Sequence, residues 1–164
     1  MHDTALRDWM GRNLKTQGYC LSNTERRGLW LGLRFPTGAC LALVITGVAL
    51  DSVPILLVAS GIGLIAGFTR RHPFDLIWNH AVRHALRMPA LPPNPPRRRH
   101  AFKIAAVWLL TLAGLFAAGL TTLAVVLGVA MIAACSAVTM FNLCLPSIAF
   151  SLWERFRHRE AVTV

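Results

Sequence analysis

The sequence predicts an all-α integral membrane protein, a four-helix bundle with two interfacial amphipathic helices on its cytoplasmic side. Three observations carry this expectation. Residues 104–153 form a run of fifty without Asp, Glu, Lys or Arg, and two shorter uncharged runs, 35–50 and 52–69, precede it. A bilayer crossing needs about 20 helical residues at about 1.5 Å each, so the long run suffices for two crossings and each short run, extended into its flanks, for one. The 17 Lys and Arg residues fall into three segments, six before the first run, eight between the second and third crossings and three after the fourth.

Taken in chain order, Leu6, Trp9, Met10 and Leu14 recur at helical spacing with Arg7, Asp8, Arg12, Asn13 and Lys15 around them. This pattern predicts an amphipathic helix on the membrane surface, ended by Gly18, within a cytoplasmic segment 1–22. Ser22 and Glu25 fit the Ser-x-x-Glu capping box, so a second helix starts there and enters the first span, about 30–50, with a bend expected at Pro36. Pro54, behind Asp51 and Ser52, suits the first turn of the second span, about 53–69. Pro73 opens an interfacial helix to about residue 88, with Phe74, Ile77, Trp78, Val82 and Leu86 as its apolar stripe. The proline-rich stretch 89–96 cannot be helical and reads as a stiff extended connector to Arg97, Arg98 and Arg99. The cytoplasmic loop thus covers 70–103. Gly119, Thr121 and Thr122 divide the long run into spans at about 104–118 and 123–142, and 143–164 form a cytoplasmic tail, all within a single membrane domain of 1–164. Gly63 and Gly67 in the second span, and Ala130, Ala133, Ala134 and Ala137 in the fourth, are the small residues through which spans approach closely.

With four crossings all three basic segments lie on one side, and the positive-inside tendency makes that side, with both termini, cytoplasmic. The net charge of +10 therefore follows from topology and attraction to anionic lipid, and nucleic acid is not expected as a partner. No cleavable signal peptide is expected, because 34 residues carrying both charge signs precede the first apolar run.

The uncharged runs that form the body of the spans, beyond Arg34 at the edge of the first, contain no Asp, Glu, Lys, Arg or His, which disfavours an autonomous ion-coupled carrier and a transmembrane haem protein. A quinone-linked disulfide-forming protein would need cysteines on the outer connections, which have none. No cofactor and no metal site is expected: His80 and His84 share a helix face, but a third ligand of fixed spacing is missing and arginines surround them. Asp75, Asn79 and Arg83 step by four residues and, with His72, form a polar motif face, read either as a helix start with a surface ladder or as a dedicated site. Trp9, Trp78, Arg97, Arg98 and Arg99 are the expected lipid or partner surface. Cys40 and Cys135 read as small buried hydrophobes; Cys20 and Cys144 fall at the inner interface, where neighbouring arginines would stabilise a thiolate. No catalytic residue is assigned, and these two thiols are the candidates.

Residues His72-Pro-Phe-Asp75 with Asn79 and Arg83, the Leu91-Pro-Pro-Asn-Pro connector, Arg98-Arg99-x-Ala101 and Cys144-Leu-Pro-Ser147 together resemble a bacterial family of small four-span membrane proteins known only as a domain of unknown function. The resemblance extends over about residues 18–153 and implies the bacterial inner membrane. In that family a phenylalanine is usual where this chain has His100, and some members carry a second cysteine where Ser147 stands. The resemblance implies a four-span fold with a cytoplasmic motif face and brings no established activity.

Two functional classes follow. The first is a non-enzymatic accessory or scaffold subunit that contacts anionic membrane lipids and a membrane-protein partner at the cytoplasmic face, the small-residue packing of the spans serving a homo-oligomer as the other use open to it. The alternative is a cytoplasm-facing thiol redox or sulfur-transfer protein using Cys144.

Overall fold

The computed structural model describes residues 2–162, with side chains described for residues 5–154; Arg155, Arg157 and Arg159 of the third basic segment have side chains outside the described residues. The regular structure among the described residues is helical. It comprises α1 (His2–Thr16), α2 (Asn23–Ala49), α3 (Val53–Phe68), α4 (Pro73–Ile77), a π-helical turn (Trp78–Val82), α5 (Arg83–Leu86), α6 (Pro96–Ala117), α7 (Thr121–Phe141) and α8 (Leu145–Val162). Helices α2, α6 and α7 are long and apolar enough to cross a membrane. A fourth crossing is reached if α3 and the α4–α5 stretch, bent by 79° against each other, count as one broken span. Alone, the 16 residues of α3 reach only about 24 Å, short of the roughly 30 Å hydrocarbon core.

Local chemistry sets these boundaries. The Ser22 hydroxyl accepts from Glu25 N, and the Glu25 carboxylate accepts from Ser22 N at 2.8 Å, which holds that carboxyl below its ordinary range. Gly18 ends α1 in the left-handed region at φ 97° and Gly119 turns α6 into α7 at φ 73°, conformations that cost glycine little. Asp51 takes φ 47° in the turn after α2, where Ser52 N donates to Gly47 O at 2.8 Å and closes the end of α2, while the Ser52 side chain makes no cap hydrogen bond to α3. Helix α2 continues through Pro36, which leaves Gly32 O without its usual donor.

The spans bury an apolar core of Val44, Val48, Leu56, Ala59, Leu109, Leu112, Ala113, Phe116, Ala124 and Met131. The most extensive packing joins α3 to α6. A Cβ on Gly63 would lie 3.2 Å from that of Ala106, and one on Gly67 would lie 3.3 Å from Arg99 O. Ser60 Oγ, in the same face, donates to Ala106 O at 2.9 Å. The Gly63/Gly67 pair is therefore consumed within the chain.

A second core lies at the basic end of the bundle. Leu14, Tyr19, Leu29, Leu33, Trp78 and Leu91 are buried together, with Leu21, Leu31, Phe35, Val82 and Met88 against them. The expected surface helices thus turn apolar side chains toward each other. Helix α1 docks on the end of α7: Asn13 and Gln17 donate to Phe141 O and Asn142 O, Arg34 of α2 donates to Met140 O, and Trp9 packs against Phe141 at 6.0 Å. Three terminal carbonyls of α7 so receive donors from two other elements.

Three further differences from the sequence expectation have physical reasons. The helix after Pro73 is interrupted by a π turn, and its expected stripe divides. Trp78 is buried, whereas Leu76, Ile77 and Leu86 are exposed. Helix α6 begins at Pro96, so Arg97, Arg98 and Arg99 form its first turn. The tail carries α8, which packs against α6, and Arg97 binds Glu154 of α8 at 2.6 Å.

Candidate functional site

The site is the group of polar side chains gathered under the break between α3 and α4. Proline at the first position of α4 leaves His72 as its N-cap, and Asp75 three residues later closes a capping box. Asp75 Oδ2 accepts from His72 N at 2.8 Å and from Asn94 Nδ2 at 2.7 Å. Asn94 Oδ1 accepts from the Tyr19 hydroxyl at 2.8 Å, and the Tyr19 oxygen accepts from Arg98 Nη1 at 2.9 Å. A buried anion and a buried cation, 3 % and 4 % exposed, are thus joined through two neutral side chains from α1's exit and the proline-rich connector.

Each member is held from a second direction. Arg98 Nη2 reaches Leu33 O at 3.4 Å, in the α2 turn just before Pro36, and the guanidinium lies over the Tyr19 and Phe102 rings at 5.3 and 5.6 Å. Asn94 N donates to Arg70 O at 2.7 Å, which fastens the connector to the end of α3. Asn79 Oδ1 accepts from Leu91 N at 2.8 Å, Trp78 Nε1 donates to Pro89 O at 3.4 Å, and Arg83 Nε donates to Asn79 O at 2.6 Å. The proline-rich stretch lacks helical or sheet partners for its backbone, and these side chains supply them. The narrow cleft left between Tyr19, Leu33, Pro36, Asp75, Leu91, Pro92 and Arg98 has no room for a water-sized occupant.

Burial and charge set the protonation states. His72 Nδ1 accepts from Phe74 N at 3.2 Å, which places the proton of the neutral ring on Nε2, 3.4 Å from Cys40 Sγ. Burial, with Arg98 adding to it, pushes this imidazole down to about 4. Burial also raises the Asp75 carboxyl and the Tyr19 phenol above their ordinary values, although Arg98 pulls both the other way. The consequence for His72 is a pH-dependent stability. Above the ordinary value of 6.5 the ring is neutral folded and unfolded, and its contribution is complete; as pH falls from 6.5 toward about 4, the unfolded chain takes the proton first. Wild-type protein is expected to lose about 3 kcal/mol over that interval through this group, seen as a falling Tm in detergent. His72→Asn, which keeps an N-cap acceptor that does not titrate, should flatten the profile.

The structure therefore brings His72, Asp75 and Asn79 together and inside, with Arg83 half-buried at their edge. Their common face looks inward because it satisfies the backbone of the connector. Of the expected surface residues, Trp9 is half-buried against Phe141 and Trp78 is 1 % exposed between Gly32, Phe35 and Leu91. Arg97 is engaged by Glu154, Arg98 is buried, and Arg99 donates to Gly67 O and Phe68 O at the end of α3. Cys20 is exposed, while Cys144 is buried at the start of α8 and its sulfur accepts from Ser147 Oγ at 3.1 Å. Tyr19 and Asn94 escape the sequence reading, since neither belongs to a periodic pattern. The available signals were that Tyr19 is the only tyrosine and Asn94 the only polar residue among the prolines of 92–96.

The family model described as Domain of unknown function (DUF4395) matches residues 31–155, from the first span to α8. No curated protein and no solved structure matches the chain.

Proposed function

The chain belongs to the DUF4395 family, a domain of unknown function, and from the geometry of this member we propose a non-enzymatic membrane scaffold or accessory subunit. Its basic end faces the cytoplasm of a bacterial inner membrane and contacts anionic lipid and a protein partner. The observation that carries this reading is the inward use of the polar motif. His72, Asp75, Asn79 and Asn94 direct their hydrogen bonds to the loop and connector backbone and to one another, which fixes the loop 70–95 as a rigid surface. On the outside of that surface stand Arg70, Arg71 and Arg87, beside exposed Leu76, Ile77 and Leu86. A basic and apolar surface at the end of membrane spans is suited to a bilayer interface and to a neighbouring protein.

The orientation rests on the distribution of Lys and Arg: the first two basic segments meet at one end of the bundle, where α1 also touches α8. The thiol alternative draws less support. Cys144 is enclosed and its sulfur is engaged by Ser147, while a reactive thiol needs access.

Native mass spectrometry of the full chain, extracted from its own membrane in mild detergent, tests the proposal. The expected result is a stoichiometric protein partner together with retained anionic lipid. A lone chain or homo-oligomer in repeated mild extractions would remove the accessory reading.

A further inference from the structure

We infer that the corner where α3 meets α6 is a binding site for the phosphate headgroup of an anionic glycerophospholipid, built from Arg70, Arg71 and Lys103 around Phe68. This rests on, and deepens, the lipid contact proposed above. It also moves that contact away from Arg97 and Arg98, which sequence alone points to and which the fold uses internally.

Two cations of α6, Arg99 and Lys103, stand against the end of α3, and two more, Arg70 and Arg71, follow in the turn that leaves it. The close approach of α3 to α6 at Gly63 and Gly67 brings the first turns of α6 against the last turn of α3. Arg99 donates to Gly67 O and to Phe68 O, at 3.4 and 2.9 Å, so its guanidinium caps the α3 C-terminus. One turn further along α6, the Lys103 ammonium lies 4.4 Å from the centroid of the Phe68 ring. Phe68 itself is 67 % exposed at the end of a membrane helix, the depth at which an aromatic ring meets glycerol and headgroups.

Arg70 and Arg71 follow at once, and the turn that carries them is fixed. Thr69 Oγ1 donates to Ile65 O and to Arg71 O at 2.7 and 2.6 Å, while Arg70 O accepts from Asn94 N. Both arginine side chains are exposed. The acidic group nearest in sequence, Asp75, is buried and directed at His72 N and Asn94; Arg71 lies close enough to favour its charged form, and this single carboxylate is outnumbered by the cations of the corner. A cationic corner at headgroup depth, beside an aromatic ring able to lie along the first part of an acyl chain, matches a phosphodiester attached to a diacylglycerol better than a free anion in water.

The test is native mass spectrometry of the purified full chain titrated with phosphatidylglycerol or with phosphatidylcholine of the same acyl chains. The corner variant Arg70→Gln/Arg71→Gln/Lys103→Gln is compared with Arg12→Gln/Lys15→Gln/Arg27→Gln, which removes three exposed charges elsewhere at the same end. Wild type should prefer phosphatidylglycerol, the corner variant should bind its first phosphatidylglycerol about tenfold more weakly or worse, and the control should stay within about threefold of wild type. Should the triple variant fail to fold by circular dichroism, Arg70→Gln/Arg71→Gln serves in its place, with at least a roughly threefold loss expected. Equal losses in corner and control variants would overturn the corner site and leave the general lipid contact standing. Absence of any headgroup preference in wild type would overturn both. Displacement of phosphatidylglycerol by millimolar inorganic phosphate would show a free-anion site and overturn the lipid assignment.

Discussion

Replacing Asp75 with alanine is expected to destabilise the protein by about 3–5 kcal/mol, the range for removing one partner of a buried charged network. Two buried donors, His72 N and Asn94 Nδ2, lose their acceptor, each at a cost of about 1–3 kcal/mol. Arg98 meanwhile loses the only anion that the buried chain of hydrogen bonds connects to it. The sign of the Asp75 shift sharpens the prediction. Its carboxyl is raised by burial, so the stability it contributes is complete below the ordinary value of 3.8 and declines as pH rises. At neutral pH the site thus tolerates the charge against a desolvation cost, and an uncharged group of the same shape escapes that cost. Asp75→Asn should therefore lose about 2 kcal/mol or less, because it retains an acceptor for His72 N. Thermal unfolding of both variants in one detergent, at pH 7, measures the difference. Equal large losses would mean that the charge itself, through Arg98, dominates the network.

Trp78→Ala carries an effect of similar size for a different reason. The indole is 1 % exposed, packs on Phe35 at 5.5 Å between centroids, and lies so close to Gly32 that a Cβ there would come within 2.8 Å of it. Deleting it leaves a cavity at the centre of the second core and removes the donor to Pro89 O, for an expected loss of about 3–5 kcal/mol. The first half of the connector, about 89–91, should then become sensitive to limited proteolysis, since Trp78 and Asn79 hold its backbone there. Trp78→Phe, which keeps most of the apolar volume, should cost about half as much. A lipid-facing Trp78 would behave otherwise: its removal would leave the Tm nearly unchanged, as surface substitutions do to within about 0.5 kcal/mol.

These two residues show where sequence reasoning succeeded and where it stopped. The capping pattern His72-Pro-Phe-Asp75 was readable as a helix start because a cap depends on residues three apart in the chain. Its burial was not readable, because that depends on Asn94 and Tyr19, which lie 19 and 56 residues from Asp75 and have no fixed spacing to it. Trp78 was visible as part of an apolar stripe, yet a stripe states only that a face leaves water. Lipid and another helix present much the same apolar environment, so periodicity could not distinguish a membrane-facing tryptophan from a core one. The π turn at Trp78–Val82 then shifts the register that a strict step of four residues assumes.

What the sequence by itself determined is the helical, membrane-compatible character, written in long apolar runs, and the division of the basic residues into separate segments. Each follows from the cost of placing charge or unpaired backbone in hydrocarbon, a cost paid locally and so written in consecutive residues. Only the tertiary structure decided which arginines face outward. Arg97, Arg98 and Arg99 are neighbours in the chain, but the helical rotation of about 100° per residue sends them to Glu154, to the buried Tyr19 and to the end of α3. Arg70 and Arg71, in a turn with no helical face to assign them, remain on the surface. Which partner each charge meets is fixed by how the helices pack, and that is information a run of like charges does not contain.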